Sequence, residues 1–417
     1  MKHFIISIII AIIFSLYYFP FEFTFLPGIN TKMMLAVIGL LLVAVNCLKK
    51  RTIYANHDII GIVIISLLYS LFSYFSVVYN NTSDLVFAHY FISMSVWLSA
   101  AYTVVCLIKQ IHRDINIQLI FHYIAILCAS QAILGIVIDN LPSVQQWVDS
   151  YINQDQAFLH RVNRLYGIGA SFDTAGIRFS CALVGLGYLL TRNITDKLRY
   201  FYIILWAIIV ILGNIMSRTT LIGVVASICY ITIEKVSLQK EIPIKTLRIA
   251  TSIALVIAFV IGIAIYCYNT IPEFRNYLQY GFEGFFNFFE KGDWRTDSTD
   301  KLKRMIIFPD NLKTWIIGDG WFDDPSGFGF YMSTDVGYLR LIYYSGVIGL
   351  VLFSSLLYFC TFRLSQRWRE DKNLFYLFLI LQGVVWIKIS TDLFLIYALL
   401  VLLPKDGNKT RTNIFET

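Results

Sequence analysis

The sequence predicts an all-α polytopic membrane protein of about twelve transmembrane helices, with a long extracytoplasmic loop before helix 10. Three observations carry this. Of 417 residues, 57% are hydrophobic and only 15% charged, with a mean hydropathy of +0.66, whereas a water-soluble surface needs about a quarter of its residues charged. Apolar runs of roughly 20 residues, the length a helix needs to cross hydrocarbon, recur along nearly the whole chain. A barrel would show short alternating strands instead. Aromatic residues make up 16%, and Tyr and Trp collect where hydrocarbon meets headgroups. The same figures exclude disorder, collagen, a cysteine-stapled secreted domain and a cytosolic enzyme.

Taken in order, the first apolar run, 4–20, has the charge-then-apolar order of a signal peptide but no small-residue cleavage site. A second run follows at once, so the first reads as a retained span. Further spans are expected at 32–48, 57–78, 86–108, 115–138, 176–191, 199–214, 218–234, 248–268 and 336–362. The stretch 374–403 adds a short pair broken from Lys388 to Asp392. Basic residues favour the cytoplasmic side of short loops. Placing the N-terminus inside puts Lys49 to Arg51, Lys109 and Arg113, Arg192 to Arg199, Lys235 to Arg248, Arg363 to Lys372, and Lys405 to Arg411 there. Both termini are then cytoplasmic. The hydrophilic loops 139–175 and 269–335 fall outside, on a single membrane domain covering 1–417. The net charge of +7 follows largely from this inside bias and gives no reason to expect a nucleic-acid partner. The seven cysteines lie in or beside apolar runs without C-x-x-C spacing, so neither disulfides nor a metal site is expected.

An arginine at membrane depth costs several kcal/mol unless it meets an anion or water. Five stand out, all at the outer ends of spans: Arg161 and Arg164 in His160-Arg-Val-Asn-Arg-Leu-Tyr-Gly167, Arg178 entering helix 6, Arg218 in the turn Met216-Ser-Arg-Thr219, and Arg340 one turn into helix 10. A guanidinium fork matches phosphate oxygens bidentately, so a phosphate-bearing lipid is the natural partner, provided the bundle brings the five together. The alternative is that each merely snorkels to headgroups. Arg164, Arg178, Arg218 and Arg340 have no obvious carboxylate partner nearby in sequence. Asp335, at the head of helix 10, reads either as a helix cap or as a base beside the arginines. His160 is the histidine nearest the arginines, with Asp173 a further alternative base, while His89 and His122 read as packed residues of their spans. Residues 275–291, rich in Tyr and Phe, suit the interface plane. Lys388 and Asp392, four apart, can pair on one helix face.

Ile316-Ile-Gly318-Asp-Gly320, then Asp335-Val-Gly-Tyr-Leu-Arg340-Leu-Ile-Tyr-Tyr-Ser-Gly346-Val-Ile-Gly349, resembles the signature of the bacterial O-antigen polymerase and ligase superfamily. Arg164-Leu-Tyr-Gly167 and Ser217-Arg218-Thr219 resemble its other two marks, and the match runs over roughly 160 to 360. The resemblance implies a GT-C-like, metal-independent membrane glycosyltransferase without cofactors. It would act on undecaprenyl-diphosphate-linked glycans at the outer face of the bacterial cytoplasmic (inner) membrane, with a flippase and a chain-length regulator as partners. In the ligase branch a histidine stands where Asp335 is here, which favours a Wzy-type polymerase of O-antigen, capsule or exopolysaccharide. Its implied site has Asp335 and His160 as catalytic candidates and Arg161, Arg164, Arg178, Arg218 and Arg340 as substrate ligands. Ligation to lipid A core or protein is the first alternative. A twelve-helix carrier or lipid-linked oligosaccharide flippase is the second, although no half-to-half similarity supports it.

Overall fold

The computed structural model describes residues 2–51, 56–112, 114–154, 159, 164–238, 251, 255, 258, 262–263, 265–327 and 329–404. In chain order the elements are α1 (Lys2–Tyr18), β1 (Glu22–Phe23), α2 (Thr31–Lys50), α3 (His57–Tyr79), α4 (Tyr90–His112), α5 (Ile117–Asn140), α6 (Pro142–Tyr151) and β2 (Ile152–Asn153). They continue with α7 (Phe172–Thr191), α8 (Asp196–Met216), α9 (Thr220–Leu238), α10 (Pro272–Gly281), α11 (Glu283–Lys291) and α12 (Asp297–Arg304). The last are α13 (Leu312–Ile316), α14 (Gly337–Arg367), α15 (Lys372–Val385) and α16 (Phe394–Val401).

Among the described residues seven helices, α2, α3, α4, α5, α7, α8 and α14, are long and apolar enough to cross a membrane, and Ile6–Tyr18 and Thr220–Glu234 are shorter apolar helices. The chain is a multi-pass, all-α membrane protein. Helix α2 shows what its solvent is: Val37, Leu40, Leu41, Val45 and Leu48 all point outward, a band of apolar surface suited to lipid rather than water. The expected span 248–268 lies mostly outside the described residues, as do His160, Arg161 and everything after Pro404.

The chain divides into two compact units. The first comprises Met1–Thr31, Ile111–Trp294 and Pro404–Thr417, and its most deeply buried long helix is α7, packed along α9 and α5. Small residues permit this. A side chain at Gly223 would collide with the backbone of Ser180; in its absence the Gly223 N–H donates to Ser180 Oγ at 3.2 Å, and Ser180 Oγ donates to the Thr219 carbonyl at 3.0 Å. Helix starts are fixed by side-chain caps, Asn116 accepting from Leu119 N at 2.8 Å for α5 and Thr195 from Leu198 N at 3.4 Å for α8. A π-helical turn, Ile209–Gly213, interrupts α8, and the Thr220 hydroxyl donates to the Gly213 carbonyl at 2.9 Å. The two-residue strands pair antiparallel, Glu22 with Asn153 and Phe23 with Ile152. They tie the loop after α1 to the end of α6, over a cluster of Ile138, Val148, Ile152, Leu159 and Tyr166.

The second unit comprises Lys32–Gln110 and Arg295–Leu403. Helix α14 packs against α3 and α15, with the Tyr69 and Phe353 rings stacked at 4.9 Å and Arg363 paired with Asp58 at 2.5 Å. The single straight helix expected at 336–362 is broken: Ser345 (φ −134, ψ 17) and Gly346 (φ 64, ψ −175) leave helical geometry. The carbonyls released there are taken up elsewhere. Tyr343 O accepts from Asp319 N at 2.6 Å, and Tyr344 O from Gly320 N at 3.1 Å and Ser76 Oγ at 2.8 Å. A second departure concerns Lys388 and Asp392, which share no helix face because the chain is non-helical from Ile389 to Leu393. Asp392 instead accepts from Phe394 N at 2.8 Å and from the Tyr90 hydroxyl at 3.3 Å.

Candidate functional site

In the first unit three of the expected arginines surround the start of α7. Arg164 and Arg218 lie over the Tyr280 ring of α10, their guanidinium carbons 4.8 and 4.1 Å from its centroid. Arg164 also lies 5.7 Å from the Phe172 ring. Burial pushes the Tyr280 phenol above its ordinary pKa, and the charges of Arg164 and Arg218 pull it part of the way back. Arg218 is held from three sides: its Nη1 meets Glu283 Oε2 at 2.5 Å, its Nε donates to the Tyr280 carbonyl at 2.9 Å, and its plane covers the ring. The carboxylate comes from α11, 65 residues away along the chain and so outside any reading of sequence neighbours. Arg164 and Arg178 differ from Arg218. Each is half-buried, and among the described residues neither meets a carboxylate within ion-pair distance; Arg178 donates to the Gly169 carbonyl at 3.3 Å and lies 5.5 Å from the Phe19 ring. Beside them Asp173 accepts from Thr219 Oγ1 at 2.5 Å and Ser217 Oγ at 3.3 Å, which fixes the Ser-Arg-Thr turn to the head of α7.

A cavity of about 540 Å³ adjoins this cluster, between the loop after α1 and the start of α7. Glu22, Gln154, Ser171, Phe172, Thr174 and Arg178 contribute to its wall. The sequence reading passed over Glu22 and Gln154, because only the β1 and β2 pairing brings residue 22 beside residue 153.

In the second unit Arg340 is 6% exposed and forms two ion pairs, Nη2 with Asp323 at 2.7 Å and Nη1 with Asp335 at 3.6 Å. Its Nη2 also donates to the Phe322 carbonyl at 3.1 Å, and its plane lies 3.5 Å from the Phe322 ring and 4.3 Å from Phe330. Asp335, five residues before Arg340 in the sequence, overturns the expected lack of a carboxylate partner nearby in sequence, and the loop that returns from Gly320 adds Asp323. The capping reading of Asp335 also gives way: the N-cap of α14 is Val336, without a side-chain cap bond, and Thr334 Oγ1 accepts from Val336 N at 3.3 Å. Asp335 faces Arg340.

The Gly318-Asp-Gly320 motif is a backbone device. Gly318 and Gly320 have φ of 87 and 71, the left-handed region that favours glycine. Their carbonyls accept from Asn80 Nδ2 at 3.1 Å and Thr82 Oγ1 at 2.9 Å, while Asp84 Oδ2 accepts from Phe322 N at 2.8 Å. Asp319 receives Lys313 Nζ at 2.8 Å, Thr314 Oγ1 at 2.7 Å and the Tyr331 hydroxyl at 3.4 Å. Burial, with the Asp319 charge, pushes the Tyr331 phenol up to about 12, so it remains a neutral donor at physiological pH. His122 is packed as expected, its Nδ1 3.0 Å from the Tyr202 hydroxyl. Comparison with protein-family models, curated proteins and solved structures returns no match for this chain.

Proposed function

We propose that the protein is a membrane glycosyltransferase of the O-antigen polymerase type, joining undecaprenyl-diphosphate-linked repeat units at the outer face of the bacterial cytoplasmic membrane. The reading includes the finer architecture expected above: about twelve spans, a GT-C-like arrangement and both termini cytoplasmic. One observation supports it most. Arg164 and Arg178 are half-buried guanidiniums in a membrane protein that meet no carboxylate among the described residues, an arrangement whose cost falls when an anion binds. A lipid diphosphate is such an anion. It leaves as a stabilised product, so the reaction needs no general acid, and arginine charge supplies transition-state stabilisation. The acceptor hydroxyl oxygen attacks the anomeric carbon, the bond to the diphosphate oxygen breaks with its electron pair, and the hydroxyl proton passes to a base.

Arg164, Arg178, Arg218 and Arg340, with Arg161 from the sequence, are assigned to the two lipid diphosphates. Asp335 is assigned to the proton, with His160 as the alternative. The exposed Phe285, Phe288 and Phe289 of α11 suit contact with the headgroup layer. The test is the surface glycan of a strain lacking the protein. A polymerase predicts loss of long chains with a single repeat unit retained. Loss of both means a ligase, and unchanged chain length overturns the reading.

A further inference from the structure

The cavity at the head of α7 measures about 540 Å³, inside the range of about 300–1,000 Å³ that small-molecule sites occupy. Its wall carries charges of both signs that do not pair with one another: Arg178 donates to Gly169 O at 3.3 Å, and Glu22 accepts from Gly28 N at 3.2 Å. Gln154 uses its Oε1 to accept from Gly169 N at 3.0 Å, while its buried Nε2 has no partner. Ser171 is the N-cap of α7 yet makes no side-chain cap bond, which leaves its hydroxyl available to the cavity. Phe172 takes up a positive φ of 50, a strained conformation for a bulky residue of the kind that collects at ligand sites.

These features select among ligands by their chemistry. An acyl chain has no use for a polar wall. A diphosphate held by Arg178 leaves the Glu22 side of the cavity to a group that donates hydrogen bonds. A sugar ring suits that side: its hydroxyls donate to the Glu22 carboxylate and accept from the Ser171 hydroxyl, and its C–H face covers a phenyl ring. We propose that this cavity is a saccharide subsite that holds an uncharged sugar residue of the glycan, with Glu22 and Ser171 as its specificity-determining contacts. The proposal deepens the glycosyltransferase reading and rests on it for the glycan being lipid-linked.

The experiment is saturation-transfer NMR on the full chain in lipid nanodiscs, with glucose, galactose, N-acetylglucosamine, N-acetylgalactosamine and inorganic phosphate as probes. At least one sugar should bind saturably, and Glu22→Gln and Ser171→Ala should each weaken it tenfold or more with an unchanged melting temperature. The subsite is overturned if no sugar binds, if neither substitution weakens binding, or if phosphate competes fully with the sugar. The two readings fail separately. Sugars that do not bind, in a protein whose deletion strain lacks long glycan, remove the subsite alone; sugars that bind as expected, with unchanged glycan in that strain, remove the transferase alone.

Discussion

Arg218 shows why an arginine and not a lysine is needed at such a place. One planar fork meets Glu283, the Tyr280 carbonyl and the Tyr280 ring at once, and a lysine ammonium can replace only the charge. If that fork also serves a diphosphate, Arg218→Lys should cut polymer yield by an amount equivalent to about 2–5 kcal/mol, while Glu283→Gln keeps it. Membrane protein level measured beside glycan length decides the matter: full-length polymer in Arg218→Lys reduces Arg218 to an anchor for α11. Asp335 allows a similar separation. The head of α14 has no side-chain cap bond and Asp335 shares Arg340 with the closer Asp323, so Asp335→Asn and Asp335→Ala should both still fold, having lost only the longer of the two ion pairs. A base predicts that both lose about 10²-fold or more in activity. Normal polymerisation by Asp335→Asn moves the role to His160 or Asp173. The residue types were legible in the sequence because an arginine at membrane depth is costly wherever it sits. Their partners were not, since Glu283 and Asp323 approach through loops whose path no local pattern encodes.

At the scale of elements, the break in α14 and the Gly318-Asp-Gly320 loop are one joint. Gly346, at φ 64 and ψ −175, lies where a Cβ would strike the Ile316 carbonyl, and that backbone region is essentially confined to glycine. Gly346→Ala should therefore lower stability by at least about 1–3 kcal/mol from backbone strain alone, read as a lower melting temperature of the purified protein in detergent. An unchanged melting temperature would mean that the joint relaxes without loss. The sequence showed the apolar run of α14 but not its break, because hydropathy reports the run of side chains and says nothing of which carbonyls are hydrogen-bonded. The helices α6, α10, α11, α12 and α13 within the two hydrophilic loops were missed for a related reason. They are five to ten residues long, too short to form alone and stabilised by what they pack on.

Across the whole molecule, orientation rests on the distribution of lysine and arginine. A reporter fused after Asp300 should be extracytoplasmic and one after Ser237 cytoplasmic, as read by a pair of compartment-specific enzymes. An Asp300 fusion active in the cytoplasm would put the arginine cluster and its cavity on the wrong side for a lipid-linked donor.

The sequence by itself determined that this is a helical, multi-pass membrane protein, and placed most of its spans to within a few residues, because lipid demands long apolar stretches with their backbone bonds satisfied internally. That demand is written residue by residue. Only the tertiary structure decided that Arg164 and Arg218 share the Tyr280 ring, that Arg340 is neutralised by Asp323 and Asp335, and that residues 22, 154 and 178 enclose a cavity. Those relations depend on where loops fold back, which side chains far apart in the chain settle jointly through packing and hydrogen bonding.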